Sequence, residues 1–178
     1  MDIRLFWRNT RQYRRLCYAV LAAFCVAACH AAGTVDAARQ QAESELAGAR
    51  WKLVELYGRA AEVFDDQPEP HVVFSALEAG AAQEVARAEA AAGRPAGRAL
   101  RLSGADGCNR LLGIAIFSEK GVRFDKVGTT MMLCPHGEVQ ARDLVRALEE
   151  STALRRHGDR LELLKDDRCV AVFTRTAL

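Results

Sequence analysis

What this 178-residue sequence lacks narrows it first. It has no long hydrophobic run. The longest, residues 16–28, holds 13 residues, short of the roughly 20 that a membrane-crossing helix needs. Nor is there a large excess of either charge, with 25 basic residues against 23 acidic. Even the net +2 is local: five arginines (Arg4, Arg8, Arg11, Arg14, Arg15) and one acid (Asp2) precede residue 28. Setting them aside leaves 20 bases against 22 acids, a net −2. The body of the chain therefore has no basic balance to support nucleic-acid binding. There is no G-x-S-x-G, no H-E-x-x-H, no phosphate-cradling glycine loop and no carboxylate pair in a catalytic setting; Glu149-Glu150 and Asp166-Asp167 read as solvated charges. Internal repeats are absent, and the composition excludes collagen, coiled coil and disorder. The expectation is one non-enzymatic domain without a cofactor or a metal.

What is present begins with an address. The arginines form a basic n-region, the run 16–28 an apolar h-region, and small residues close it, as in a secretory signal. Val26-Ala27-Ala28-Cys29 reads as a lipobox and resembles the cleavage and acylation site of bacterial lipoproteins. There the cysteine carries a diacylglycerol and usually a further acyl chain, and stable anchoring needs more than one chain. His30, rather than an aspartate, resembles an outer-membrane sorting context. The expected organisation is a signal peptide at 1–28, a flexible tether at 29–48 rich in Ala, Gln, Glu and Ser, and a domain over 49–178. The expected location is the cell envelope, lipid-anchored, at the periplasmic face of the outer membrane in a Gram-negative cell.

Within the domain, residues 51–57 alternate Trp51, Leu53, Glu55 and Tyr57 against Lys52, Val54 and Leu56, which predicts a strand. Further strands are expected at 71–77, 99–103, 111–117 and from 121 onward, and 78–98 reads as an extended loop or a solvated helical excursion. Residues 138–150 place Val139, Leu144, Val145 and Leu148 at near-helical spacing without glycine or proline, which predicts a helix. A hairpin follows, 161–164 with 169–174, turning at Lys165-Asp166-Asp167-Arg168. The fold class expected is α+β, mainly antiparallel β, a compact curled or barrel-like sheet with one packed helix.

Four features recur in order: Trp51-Lys52-Leu53; Gly107-Cys108-Asn109-Arg110 with Gly113; Thr129-Thr130-Met131-Met132-Leu133-Cys134-Pro135; and the helix with its closing hairpin. Together they resemble the META domain family (HslJ-like heat-shock lipoproteins). The resemblance implies the same fold class, a secreted or lipidated chain, and a link to envelope stress and drug tolerance without an established enzymatic activity. It implies a motif set of Trp51, Gly107, Cys108, Asn109, Arg110, Gly113, Thr130, Met132 and Cys134. This sequence departs from the pattern in its longer 78–98 segment and in Thr130, where one family version carries arginine.

The motif residues also carry chemistry of their own. Gly107 leaves backbone room in a turn, and the Asn109 amide can satisfy neighbouring backbone groups. Cys108 and Cys134, separated by 26 positions, could close a loop in an oxidising compartment, stabilising by about 3–4 kcal/mol. They could equally be two thiols packed as small apolar groups. Cys169 is then left over; it reads as buried, with pairing to either cysteine open. Zinc ligation by Cys108, Cys134, His136 and Cys169 is disfavoured, because the spacing lacks C-x2-C and export favours oxidation. His71 and His157 read as exposed turn residues, and Met131-Met132-Leu133 as core. Two functions follow. One is an envelope lipoprotein bound to the membrane through Cys29 and to an envelope protein partner, which predicts an exposed apolar patch. The other is a β domain that binds a small apolar ligand in an interior pocket.

Overall fold

Apolar residues at alternate positions of successive short segments, separated by turn residues, can be buried together only on one face of a sheet. The computed structural model describes residues 46–94 and 97–177 and follows that rule. The leader, Cys29 and nearly all of the expected tether lie outside the described residues. The strands are β1 (Arg50–Leu56), β2 (Arg59–Ala60), β3 (His71–Ala76), β4 (Arg98–Ala105), β5 (Arg110–Ser118), β6 (Gly121–Thr129), β7 (Ala153–His157), β8 (Arg160–Lys165) and β9 (Arg168–Thr176). Two helices join them, α1 (Ala79–Ala91) and α2 (Glu138–Glu150). One antiparallel sheet runs β6-β5-β4-β3-β1-β9-β8-β7, with β2 paired to β1.

The sheet curls around a core without closing. Its edge strands meet at one point, where Val122 N–H donates to Thr152 O at 3.0 Å. Gly121, at φ +126, makes that approach possible, because a Cβ there would run into the Thr152 carbonyl. The chain leaves the β6 edge, passes through α2 and returns as β7, so α2 links both edges and packs on β6, β1, β8 and β9. Its inward stripe is Ala141, Leu144, Ala147 and Leu148. Val139, expected on that stripe, is exposed, because two residues before Ala141 it lies about 200° around the helix from it. Opposite them lie Trp51, Phe74, Leu102, Leu111, Leu161 and Phe173, all fully buried in the same cluster.

Several expectations need correction. In β1 the alternation breaks at a bulge between Leu53 and Glu55, so Leu56 takes the inward position that strict alternation assigns to Glu55. Leu46 and Ala49 are buried, Gly48 N–H donates to Phe74 O, and Trp51 Nε1 donates to Leu46 O at 3.2 Å. The domain therefore begins inside the expected tether. Of the two forms expected for 78–98, the structure takes the helical excursion, α1, which buries only Val85 and Glu89. The hairpin turn at Asp166-Asp167 has both residues at positive φ, the geometry of a two-residue turn matched to strand twist. His71 and His157 lie on strands rather than turns, and His71 is half-buried, its pKa lowered by desolvation.

A buried glutamate fastens α1. Glu89, 4% exposed, accepts from Arg94 on its own segment at 2.8 and 2.9 Å and from Arg123 of β6 at 2.6 Å. The Arg94 hydrogen bonds, reinforced by Arg123, hold its pKa below the ordinary 4.5, against the opposing effect of burial. A depressed carboxylate contributes stability that is present above the unfolded value and is lost as pH falls. Glu89→Gln is expected to lower the unfolding midpoint at pH 7, with the gap to wild type narrowing below about pH 4. Thermal unfolding across that range, followed by circular dichroism, measures it. Leu144→Ala is expected to cost about 2–5 kcal/mol in urea unfolding, whereas Leu133→Ala changes stability by no more than about 0.5 kcal/mol.

Candidate functional site

The motif residues of the middle of the chain converge on one feature, the joint between the β4–β5 turn and the segment that runs from β6 to α2. The turn is set by Asp106, 2% exposed, whose Oδ1 accepts from Cys108 N at 2.8 Å and Asn109 N at 2.6 Å. Its own N–H donates to Asn109 O at 3.0 Å. A carboxylate that binds two successive amides two and three residues on is the local competitor to secondary structure that ends a strand. Gly107 supplies the positive φ (+104) inside that loop, where a Cβ would sit 3.2 Å from Pro70 Cγ.

Asn109 then reaches across to the second segment. Its Oδ1 accepts from Thr130 Oγ1 at 3.0 Å and from Met132 N at 2.7 Å, and its Nδ2 donates to Cys108 Sγ at 3.2 Å. Thr130 Oγ1 also accepts from Arg110 N at 3.1 Å, while Thr130 N donates to Arg110 O at 3.1 Å. Cys108 and Cys134 are joined in a disulfide with Cα atoms 5.8 Å apart. Thr130, a motif residue where one family version carries arginine, is thus a hydrogen-bonding hub.

Between these ties the segment is turned outward. Met131, Met132 and Leu133 are 99%, 65% and 96% exposed, which overturns their reading as core. The backbone accounts for it. Met132 N is held by Asn109 and Cys134 by Cys108, so the side chains between the ties have no inward face to occupy. The segment borders two clefts. One, of about 620 Å³, lies against α2 at Ala141, Arg142, Val145 and Arg146. The other, of about 580 Å³, runs past Cys134, Pro135 and His136 to Arg59 and Gln140. His136 stacks on Phe64 with ring centroids 5.1 Å apart. Gln140 grips the backbone of Glu62 twice, accepting from its N–H at 2.7 Å and donating to its O at 2.9 Å.

The remaining motif residues do other work. Trp51 is a core residue away from the joint. Gly113 sits at the register shift between Leu112 and Ile114, where a Cβ would come 3.4 Å from Val127 Cα and Leu102 Cδ2. Arg110 contributes its backbone, and its side chain is exposed. Cys29 is outside the described residues. Cys169, expected to be buried, is a free and exposed thiol at the start of β9, its pKa raised by desolvation and by Glu162 and Glu55. It lies in a cleft with Tyr57 and Lys165, so the four residues weighed as zinc ligands do not gather; among the described residues no three His, Cys, Asp or Glu side chains converge. In that cleft Tyr57 OH donates to Glu150 Oε1 at 2.6 Å and Lys165 Nζ to Oε2 at 2.7 Å, closing the end of α2 onto the β8–β9 turn. Desolvation and the bond to Glu150 raise the Tyr57 pKa, and the Lys165 bond lowers that of Glu150. The interior of the curled sheet holds the buried cluster around Trp51, Phe74 and Phe173.

Asp106 escaped the sequence reading, although an Asp-Gly pair between two strand patterns is a turn signal. Asn109→Ala is expected to cost about 1–3 kcal/mol, because it leaves Met132 N–H and the Thr130 hydroxyl without their acceptor. Arg110→Ala should change stability by less than about 0.5 kcal/mol. Urea unfolding of both variants separates a backbone role from a side-chain one.

Comparison with known proteins places this geometry. A family profile described as the META domain matches residues 44–177. No curated protein matches the chain. Two solved structures share the fold. One, an NMR structure of a protein from Burkholderia xenovorans, is 20% identical, with a TM-score of 0.52 over 78% of this chain and 88% of that one. Another NMR structure is 16% identical, with a TM-score of 0.50 over 74% of this chain and 92% of the other.

Proposed function

The chain belongs to the META domain family, and on that footing we propose that it is an exported lipoprotein that supports envelope integrity under stress by binding a protein partner. Its anchor is an acylated Cys29, and its place is the periplasmic face of the outer membrane in a Gram-negative cell. The observation that carries the reading is the outward segment Met131-Met132-Leu133. Consecutive apolar side chains held in water cost free energy unless something covers them, and exposed patches of this kind mark interaction sites. Methionine suits a docking surface because its unbranched side chain adapts to the partner's shape. The ties at Asn109 and Cys134 fix the backbone beforehand, which lowers the ordering cost of association.

Binding rather than catalysis is supported by how the polar groups of the joint are used. Asp106, Asn109 and Thr130 spend their hydrogen bonds on holding one segment against another.

The test is complementation. In a strain lacking this chain and challenged with detergent or a hydrophobic antibiotic, the wild type is expected to restore tolerance. Cys29→Ala and the pair Met131→Glu with Leu133→Glu are expected to fail at equal abundance, the pair with an unchanged unfolding midpoint. Full rescue by the charged pair would refute the docking segment; full rescue by Cys29→Ala would refute the anchor.

A further inference from the structure

We propose that the Cys108–Cys134 bridge is a thiol–disulfide exchange site, opened at Cys134 by a dithiol reductant, with Cys108 as the leaving sulfur. This goes beyond the docking reading and stands whether or not the outward segment binds a partner.

The two sulfurs of the bridge are not equivalent. Cys108 borders the cleft against α2 but is only 5% exposed, whereas Cys134 is partly exposed in irregular chain and lines the cleft shared with Arg59 and His136. An incoming thiolate therefore meets Cys134 first. The other sulfur is prepared for the charge that must leave. Asn109 Nδ2 donates to Cys108 Sγ at 3.2 Å, and a hydrogen bond to a thiolate lowers its pKa and makes it the faster leaving group. That donor is held in place, since Asn109 Oδ1 is bound by Thr130 Oγ1 and Met132 N.

The exchange balances as follows. A reductant thiolate attacks Cys134 Sγ, the Cys134–Cys108 bond breaks, and its electron pair goes to Cys108 Sγ. The second thiolate of the reductant then attacks its own sulfur in the mixed disulfide and releases Cys134. The reductant ends as a disulfide, and its two protons end on Cys108 and Cys134. Once the bridge is open, the stretch between Met132 and α2 loses its covalent tie while Asn109 still holds Met132 N–H. Met131 stays pinned, and Leu133 is freed.

The experiment uses the full chain and a thioredoxin whose second active-site cysteine is serine, which traps the first mixed disulfide for peptide mapping under native conditions. The expected adduct is on Cys134. Asn109→Asp, which keeps the acceptor oxygen but removes the N–H donor, is expected to slow adduct formation about tenfold or more. Cys169→Ser should leave both map and rate unchanged. An adduct on Cys108, equal adducts on both cysteines, or none without denaturant would overturn the assignment. An unchanged rate in a folded Asn109→Asp variant would overturn the leaving-group role. A failed docking segment in the complementation test moves neither the adduct map nor the rate.

Discussion

An antiparallel sheet that curls without closing has two raw edges and an open side, and α2 resolves both. The helix can do so only if its two ends are delivered to the right places. Its start follows a segment tied at Asn109, Thr130 and Cys134, and its end lies where Val122 N–H meets Thr152 O. Everything between these fixed points is apolar packing on the stripe Ala141, Leu144, Ala147 and Leu148. The short alanines bring the helix axis close, and the two leucines reach the aromatic floor laid by β1, β3 and β9.

The motif residues of the joint, and Asp106 beside them, are accordingly residues of backbone logistics. Asp106 shapes a turn, Gly107 admits its dihedral, and Asn109 reads the amide of a neighbouring segment. Their hydrogen bonds go to positioning, and the side chains so positioned are the ones that face solvent. That division explains how a segment with an insistent polar motif on one side can present methionine and leucine on the other.

Periodicity made much of this legible. The strands around Phe74 and Leu102 alternate buried and outward positions, and the α2 pattern has no interruption, so their existence followed from spacing alone. Two kinds of information were not local. The bulge after Leu53 exists because β9 pairs with β1 out of step, which no stretch of β1 declares. The outward turn of Met131-Met132-Leu133 depends on ties to residues more than twenty positions earlier, and apolar composition by itself argued for burial. β7 went unread because Ala153–His157 holds two arginines and a histidine; its place is set by the neighbouring β8 ladder rather than by its own pattern. α1 admits two readings from its sequence, loop or helical excursion, for the opposite reason. Its alanine-rich sequence buries little, and what fixes it is one glutamate between two arginines.

The position of β1 has a mechanical meaning. It lies in the middle of the sheet, hydrogen-bonded to β3 on one side and β9 on the other, and the chain enters it directly from Leu46. A pull on the preceding residues is thus delivered along the axis of a central strand. Because β1 and β9 are antiparallel and Arg50 pairs with Thr176, such a pull peels that ladder when the resisting load acts on the end of β9, and shears it when the load is held at the far end of the sheet. It must also draw Trp51 out of the core, since its indole is bonded to the carbonyl of Leu46. Which ladder yields first is therefore set by where the opposing load is held, not by the central position of β1 alone.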